Sequence, residues 1–282
     1  MDKKLKLAVI GKPITHSKSP EIHQDFANQF DVKIEFRKDV VTPETLETWL
    51  AKFFKDGGKG VSITLPLKEA ALNYANEVSD RARLASACNV IYAKDEKLFA
   101  DCTDGFGLIK DLEENLKVSL KDKKILILGA GGAARGIIPS IIEKNPSKLK
   151  IANRTERKAL SLKEDLKGKL DLKKKNLTLE AGGLTDEFLL DYSYDLVINS
   201  TSISTQAGES IGLPKALFKG TKLAYDLFYS AKKTIFMQEA FENGAEKVSD
   251  GWGMLVEQGA ESFKLWTNLI PDTSRLLEKP ID

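Results

Sequence analysis

The chain has 282 residues, 42% of them hydrophobic, and its 43 basic residues almost balance its 41 acidic residues. That length allows one large or two modest cores, and the balanced charge disfavours a broad basic surface for nucleic acid or anionic membrane. The only cysteines are Cys88 and Cys102 and the only histidines His16 and His23, which excludes a disulfide framework and a three-histidine metal site.

The sequence begins MDKKLKLAVIG, and its apolar run is too short for a signal-peptide core and far too short to span a bilayer. No later stretch is long enough either. We therefore expect a cytoplasmic protein without a membrane, nucleic-acid or metal partner.

The first hundred residues alternate extended and helical patterns, which predicts strands joined by crossover helices. Ser19-Pro20 and Thr42-Pro43 each combine a capping residue with a first-turn proline, so we expect helices to start there. A hairpin is predicted to turn at Asp95-Glu96. The predicted elements are strands at 5–11, 34–41 and 60–66, helices at 19–30 and 42–54, and the hairpin at 89–103.

A second unit is predicted to begin near residue 104. Its apolar strands, several of them separated by helical patterns, are typical of a doubly wound α/β domain with a parallel sheet. After Trp252, an amphipathic pattern predicts one helix that ends before Pro271. The strand candidates are KKILILG, KLKIANRT, LTLEAG, YDLVINST and KLAYDLF.

The segment Gly129–Ala134 fits the pattern G-x-G-x-x-A, in which the first glycine makes a tight turn and the second lets the backbone approach a pyrophosphate. The pattern alone is weak, but here it follows an apolar strand and opens a helix. The first N–H groups of a helix favour negative charge. We expect a dinucleotide to bind at this turn.

The end of the next strand indicates which dinucleotide. Where an NAD site carries Asp or Glu, this chain has Asn153, Arg154 and Thr155, followed by Arg157 and Lys158. Cations there suit a ribose 2′-phosphate and suit NAD poorly, although a solvated basic loop is the alternative. We expect NADP(H) as the cofactor.

Three polar residues stand out from this pattern. Lys68 lies just beyond the predicted strand GVSITLP, at the strand end where open α/β sheets bind ligands. Asp104 also follows a strand, although a carboxylate there could instead cap the next helix. Gln258 shares a helical face with mostly apolar or small residues, so its amide needs partners, which a polyol could supply.

Eight blocks, in order and spacing, resemble the shikimate dehydrogenase family, which interconverts 3-dehydroshikimate and shikimate with NADP in aromatic amino-acid biosynthesis. They run from about Lys6 to Leu277 and therefore cover almost the whole chain. The blocks are KPITHSKSPEIH, GVSITLPLKE, ACNVIY, TDGFG, GAGGAARG, ANRT, YDLFY and DGWGMLVEQGAESFKLW.

The resemblance implies a two-domain α/β enzyme, monomeric or homodimeric, in which residues 1–103 and the C-terminal helices at 252–282 bind the substrate and residues 104–251 form a Rossmann domain. It implies that Lys68 and Asp104 are the catalytic pair, which handles the proton while NADPH delivers hydride to the C3 carbonyl. The implied substrate contacts are Ser17, Ser19, Thr64, Lys68, Asn89, Asp104, Tyr229 and Gln258. The implied NADP contacts are Gly129, Ala130, Gly131, Gly132, Ala133, Asn153, Arg154, Thr155, Lys158, Thr201, Leu227 and Gly251.

Two positions depart from the family pattern. Cys102 stands where asparagine commonly precedes Thr-Asp-Gly, and Ile203-Ser204 replaces the glycine usual after the Asn-x-Thr block. These departures bear on the loops on the cofactor side rather than on the reaction.

Three other functions fit parts of the sequence. A quinate/shikimate dehydrogenase accepts the saturated analogue and often NAD, but Ser17, Ser19 and the cations Arg154 and Lys158 favour shikimate and NADP. A methylenetetrahydrofolate-type dehydrogenase also uses a lysine, but the blocks HSKSP and MLVEQGAESF do not suit it. A non-catalytic NADP-binding sensor would have no need of a proton donor such as Lys68.

Overall fold

The structure, a computed structural model, describes residues 4–172, 176–191, 193–203, 209–230 and 232–278. The chain divides into two compact units, Met1–Lys110 with Leu255–Asp282, and Asp111–Met254. Among the described residues, each unit holds one six-stranded sheet with helices, which confirms the predicted α/β class. The expected limits at 103 and 251 lie near these divisions.

The first unit has a mixed sheet in which the strands follow the order β2-β1-β3-β5-β6-β4. The β3–β5 and β5–β6 pairs are antiparallel and the other pairs are parallel. Its strands are β1 (Leu5–Gly11), β2 (Ile34–Val40), β3 (Gly60–Ile63), β4 (Glu77–Val78), β5 (Val90–Lys94) and β6 (Lys97–Asp101). Its helices up to the first division are α1 (Ser19–Asn28), α2 (Leu46–Lys55), α3 (Lys68–Ala71), α4 (Asp80–Ala85) and α5 (Asp104–Lys110).

The second unit has a wholly parallel sheet in the order β12-β11-β10-β7-β8-β9. This doubly wound order reverses direction at β7, where the glycine turn follows. Its strands are β7 (Lys124–Leu128), β8 (Lys148–Ala152), β9 (Thr178–Gly182), β10 (Leu196–Asn199), β11 (Leu223–Asp226) and β12 (Val248–Ser249). Its helices are α6 (Gly132–Glu143), α7 (Glu156–Lys169), α8 (Asp186–Leu189) and α9 (Ile235–Glu242).

Two further helices, α10 (Trp252–Thr267) and α11 (Ser274–Glu278), complete the chain, and most of α10 belongs to the first unit. The helix expected after Trp252 is therefore present. Within the described residues, no helix combines the length and the hydropathy needed to cross a membrane.

Local patterns predict all the described strands except the two-residue β4 and β12, and they misplace the start of one helix. The hairpin turns at Asp95 and Glu96, both at positive φ, as predicted. In contrast, α2 begins at Leu46 and not at Thr42, because Thr42 and Thr45 form a separate turn. The Thr45 N–H donates to the Thr42 carbonyl at 3.1 Å, and the Thr42 N–H donates to Thr45 Oγ1 at 3.1 Å.

His23 lies in the aromatic part of the first unit's core. Its ring centroid is 4.8 Å from that of Trp266 and 5.0 Å from that of Phe36, and the residue is 1% exposed. Burial lowers the pKa of His23 from 6.5 to about 3, because the charged imidazolium loses its hydration there. His23 is therefore a neutral core residue.

This burial predicts a pH-dependent stability. The unfolded chain protonates His23 near pH 6.5 and the folded chain only near pH 3. Each pH unit below 6.5 therefore removes about 1.4 kcal/mol from the free energy of unfolding. We expect denaturant unfolding to show this loss between about pH 7 and about pH 5 in the wild type and not in His23→Phe. Substitution of His16 by glutamine measures the contribution of the other histidine, whose pKa is also lowered by partial burial and by the charge of Lys38. Equal pH slopes for the wild type and His23→Phe would contradict the prediction.

Candidate active site

The register of the first sheet brings several predicted residues together at the ends of three neighbouring strands. Ser62 of β3 pairs with Val90 of β5, and Val90 pairs with Asp101 of β6. The residues just after β3, just before β5 and just after β6 therefore lie side by side. These residues are Thr64 and Lys68, Asn89, and Asp104.

Lys68 and Asp104 form a buried ion pair at these strand ends. Lys68 is the first residue of α3 and Asp104 the first residue of α5, and Lys68 Nζ contacts Asp104 Oδ2. Their side chains are 13% and 6% exposed. The Lys68 carbonyl accepts the N–H of Cys88 at 2.9 Å, which fixes the start of α3 on the strand edge.

The surroundings keep Lys68 charged. Burial alone would lower the pKa of Lys68, but the negative charge of Asp104 and the hydrogen bond to it outweigh burial and raise this pKa above its usual value. Burial raises the pKa of the Cys88 thiol to about 12 and also raises that of Cys102, so both stay neutral at ordinary pH. Lys68 is therefore an ammonium group able to donate a proton.

A network of amides and hydroxyls holds Asp104 from its other side. Asn89 Nδ2 donates to Asp104 Oδ1 at 3.0 Å, to Thr103 Oγ1 at 2.8 Å and to Gln258 Oε1 at 3.0 Å. The Thr103 N–H donates back to Asn89 Oδ1 at 2.7 Å. Lys68, Asn89, Asp104 and Gln258 are thus joined by contacts within one unit.

The amide of Gln258 has protein partners. Its Oε1 accepts from Asn89, as described, and its Nε2 donates to the Leu255 carbonyl at 2.8 Å. The expected need of this amide for partners is therefore met within the protein, because a buried amide without protein partners would be costly before any ligand binds.

Ser17 and Ser19 are both buried at the start of α1. Ser17 Oγ donates to Ser19 Oγ at 3.2 Å and accepts the Ser19 N–H at 3.3 Å. The cap residue is Lys18, which makes no side-chain cap bond, so the prediction that Ser19 caps the helix is wrong. The hydroxyl of Ser19 is not used as a cap because Ser19 is itself the first helical residue.

Thr64 and Tyr229 complete the predicted substrate residues. Thr64 is half-buried after β3, and its N–H donates to the Ile10 carbonyl at 3.0 Å. Tyr229 follows β11 in the second unit, where its ring packs edge-on against Trp252 with centroids 6.0 Å apart.

The glycine turn of the second unit leaves room at a helix N-terminus. Gly129 has a φ of +110°, and its N–H donates to the Ala152 carbonyl at 2.8 Å. Gly131 is the cap residue of α6 without a side-chain bond, and a Cβ built on it meets no atom within 4 Å. The first N–H groups of α6 therefore face an open cradle that fits a pyrophosphate.

Alanine is expected to weaken cofactor binding at Gly131 and to lower stability at Gly129. Gly131→Ala should keep the melting temperature but raise the KM for NADPH about 10-fold, because losing one charge-assisted hydrogen bond costs roughly 1.5 kcal/mol. Gly129→Ala should lower stability by about 1–3 kcal/mol because of its positive φ. Its Cβ would also lie 2.5 Å from Ser200 Oγ. Thermal unfolding and NADPH titration separate the two, and a destabilised Gly131→Ala would contradict the open cradle.

Exposed cations lie beside this turn. Leu128 pairs with Ala152, so Asn153 at the end of β8 is the neighbour of Gly129. Asn153 Nδ2 donates to the Thr155 carbonyl at 2.9 Å, which turns the chain into α7. Arg154, Thr155 and Lys158 are exposed, and in the described part of the chain no carboxylate pairs with Arg154 or Lys158.

Asp226 and Asn199 support loops of the second unit that carry predicted cofactor residues, although neither is itself among the predicted site residues. Asp226 is fully buried and accepts from Asn199 Nδ2 at 3.1 Å and from Thr234 Oγ1 at 2.7 Å. Asn199 Oδ1 in turn accepts the N–H and the hydroxyl of Thr201 at 3.0 and 2.7 Å. The sequence signal that could have identified them is that each is the polar last residue of an apolar strand, LVIN and LAYD.

Two other predicted cofactor positions touch each other. A Cβ on Gly251 would overlap the Leu227 carbonyl oxygen, so only glycine allows this approach. The Leu227 N–H donates to the Asn199 carbonyl at 2.9 Å. Of the departure at Ile203-Ser204, Ser204 lies outside the described residues. The other departure, Cys102, is 2% exposed and packs in the first unit's core, so the expectation that it bears on a loop on the cofactor side is wrong.

Among the described residues, no group of three or more His, Cys, Asp and Glu side chains is placed to hold a metal ion.

Three family models match the sequence. They describe a shikimate dehydrogenase substrate binding domain at residues 9–91, a shikimate / quinate 5-dehydrogenase at 111–207 and a shikimate 5'-dehydrogenase C-terminal domain at 251–278.

Individual relatives match nearly the whole chain. The shikimate dehydrogenase (NADP(+)) of Chromobacterium violaceum is 42% identical over 271 residues, 95% of both chains. That of Colwellia psychrerythraea is 40% identical over 271 residues, 96% of this chain and 94% of its own.

Solved structures show the same similarity. An Ael1 enzyme from Pseudomonas putida superposes with a TM-score of 0.86 at 38% identity over 98% of both chains. A shikimate 5-dehydrogenase from Thermus thermophilus, in complex with NADP(H) and shikimate, superposes with a TM-score of 0.83 at 32% identity over 97% of both chains.

Proposed function

Because the chain belongs to the shikimate dehydrogenase family, we propose that Lys68 and Asp104 transfer the proton in its reaction, the NADP-dependent interconversion of 3-dehydroshikimate and shikimate. The observation that carries this assignment is the buried Lys68–Asp104 pair, held from the other side by Asn89.

The proton is handled by these side chains. When bound, NADPH supplies the hydride that reduces the carbonyl carbon, which we assign to C3 of 3-dehydroshikimate. Lys68, as ammonium, donates its proton to the carbonyl oxygen as negative charge develops there. Asp104 keeps Lys68 oriented and charged until that moment, and it helps to return a proton from solvent afterwards.

We assign the substrate to the first unit and the cofactor to the second. The first unit carries every predicted substrate residue except Tyr229, so it binds the shikimate ring. Ser17 and Ser19 offer buried hydroxyls at the start of α1, where N–H groups favour the substrate carboxylate. We assign the hydrogen bonds to its hydroxyls to Thr64, Asn89 and Gln258.

The second unit binds the cofactor. The open cradle at Gly131 takes the pyrophosphate, and Arg154 with Lys158 takes the 2′-phosphate, because both cations are exposed and lack carboxylate partners among the described residues. Thr201, Leu227 and Gly251 border the remaining part of the site.

Two properties stay predictions from the sequence. They are the cytoplasmic location and the monomeric or homodimeric state.

The proposal is tested by following NADPH absorbance with 3-dehydroshikimate, beside NADP⁺ and NAD⁺ reduction with shikimate and with quinate. Turnover confined to NADP and shikimate is expected. Turnover of quinate, or a preference for NAD, would assign the chain to the quinate/shikimate branch. Binding of NADP without turnover of any pair would instead indicate a sensor.

A further inference from the structure

A second ion-pair cluster, in which two buried carboxylates contact an arginine that is 31% exposed, lies next to the strand ends that carry Lys68 and Asp104. The reaction described above does not use it. Arg81 of α4 donates its Nε and Nη2 to the two carboxylate oxygens of Asp101, at 2.5 and 2.9 Å. The same Nη2 donates to Glu261 Oε1 at 3.1 Å. The two carboxylate side chains are only 8% and 9% exposed. One guanidinium thus joins the end of β6 to the middle of α10.

Asp101 shapes the backbone that leads to Asp104. Its Oδ1 accepts the N–H of Cys102 at 2.7 Å, and its carbonyl accepts the N–H of Asn89 at 3.1 Å. Only two residues separate Asp101 from Asp104, so the direction of this short segment sets where the catalytic carboxylate points. The guanidinium therefore fixes the residue from which that segment starts.

Glu261 fixes the helix on the other side. It lies one turn after Gln258 and next to Ser262 on α10. Ser262 Oγ is 3.1 Å from Thr103 Oγ1, and Gln258 Oε1 accepts from Asn89. Holding Glu261 restricts the rotation of α10 about its axis, and with it the position of the Gln258 amide.

We propose that Arg81 is a positioning residue for substrate binding, which sets the placement of Asp104 relative to Gln258 through Asp101 and Glu261. The inference rests on the proposed function, because it requires Asp104 and Gln258 to contact shikimate. An arginine suits this task, since its planar fork reaches two carboxylates at fixed angles and stays charged. A lysine offers a single ammonium on a flexible stem and cannot reproduce that geometry.

The test compares Arg81→Lys and Arg81→Gln with Arg83→Gln in the full chain. Arg83 is the matched control because it lies on the same helix, is exposed, and bonds the Val78 carbonyl at 3.0 Å. Steady-state kinetics give the KM for shikimate, the KM for NADP⁺ and kcat, and thermal unfolding reports on folding.

Arg81→Lys should raise the KM for shikimate roughly 10-fold, because a displaced Asp104 and Gln258 bind the substrate less tightly and a loss of about 1.4 kcal/mol in binding is tenfold. Its KM for NADP⁺ and its melting temperature should stay near those of the wild type. Arg81→Gln should raise the KM for shikimate further, because it leaves the buried Asp101 without its cation and leaves Glu261 paired with Lys264, whose Nζ lies 3.2 Å from Glu261 Oε2. Arg83→Gln should behave as the wild type.

An unchanged KM for shikimate in Arg81→Lys would overturn the inference. A lower kcat that only matches a smaller folded fraction of the protein, with no change in KM, would overturn it too. If Arg81→Gln does not fold, Arg81→Lys decides the question. Failure of the proposed function is recognised separately, because the wild type itself would then turn over neither 3-dehydroshikimate nor shikimate, and the inference would fall with it.

Discussion

Lys68→Ala is expected to lower kcat for 3-dehydroshikimate reduction roughly 10²- to 10⁴-fold, the usual effect of removing a general acid. The reason is that the Lys68 ammonium is, among the described residues, the only charged proton donor that contacts Asp104. Without it, the alkoxide oxygen must take its proton from water. Single-turnover and steady-state rates of NADPH oxidation measure the loss.

Folding and charge must be separated from proton transfer in this test. Lys68→Ala leaves Asp104 buried without its cation, which destabilises a fold by about 3–5 kcal/mol. The double variant Lys68→Ala/Asp104→Asn removes that penalty and should stay inactive. Lys68→Arg keeps the charge, but a guanidinium does not release its proton at ordinary pH, so its kcat should also be low.

The matched control is Lys59→Ala. Lys59 directly precedes β3, at the end opposite to Lys68, and its Nζ donates to the Ala93 carbonyl at 2.6 Å rather than to a carboxylate. Its kcat should be that of the wild type. A near-wild-type kcat for Lys68→Ala would make Lys68 a structural residue.

The raised pKa of Lys68 also predicts how the rates of 3-dehydroshikimate reduction and shikimate oxidation depend on pH. Reduction needs the ammonium form, so its rate should stay level through neutral pH and fall only at alkaline pH. Oxidation of shikimate needs the neutral amine, so its rate should rise with pH over the same range. Two profiles with the same slope would contradict the assignment.

Arg154→Ala is expected to raise the KM for NADPH roughly 10- to 100-fold, because a hydrogen bond to a charged group contributes about 1.5–3 kcal/mol. The KM for NADH should not change, since NADH has no 2′-phosphate for the guanidinium to bind. Because the cation lacks a carboxylate partner in the described residues, its removal should leave the melting temperature unchanged.

Lys167→Ala provides the control for a general loss of positive charge. Lys167 is exposed near the end of α7 and pairs with Glu164 at 3.0 Å, away from the strand end that carries Arg154. It should bind both cofactors as the wild type does. Equal losses for NADPH and NADH in Arg154→Ala would mean that the guanidinium does not read the 2′-phosphate.

The sequence by itself determined the elements whose signals are local. Apolar runs predicted the strands of both sheets except the two-residue β4 and β12, the hairpin turned at Asp95 and Glu96, and the glycine pattern opened α6, because each depends on neighbouring residues. The family resemblance is confirmed by the relatives, and with it the NADP cofactor. Local signals failed at Thr42, where a turn competes with a helix for the same hydroxyl and N–H groups.

The tertiary structure alone decided which residues meet. Strand position pointed to Lys68, but only the antiparallel register of β3, β5 and β6 places Asp104, 36 residues later, against its ammonium. Arg81 and Glu261 are 180 residues apart, and no local pattern marks them as partners. Propensity and periodicity report on a few neighbouring residues, whereas a buried ion pair depends on how distant elements pack, and its contacts exist only once the chain has folded.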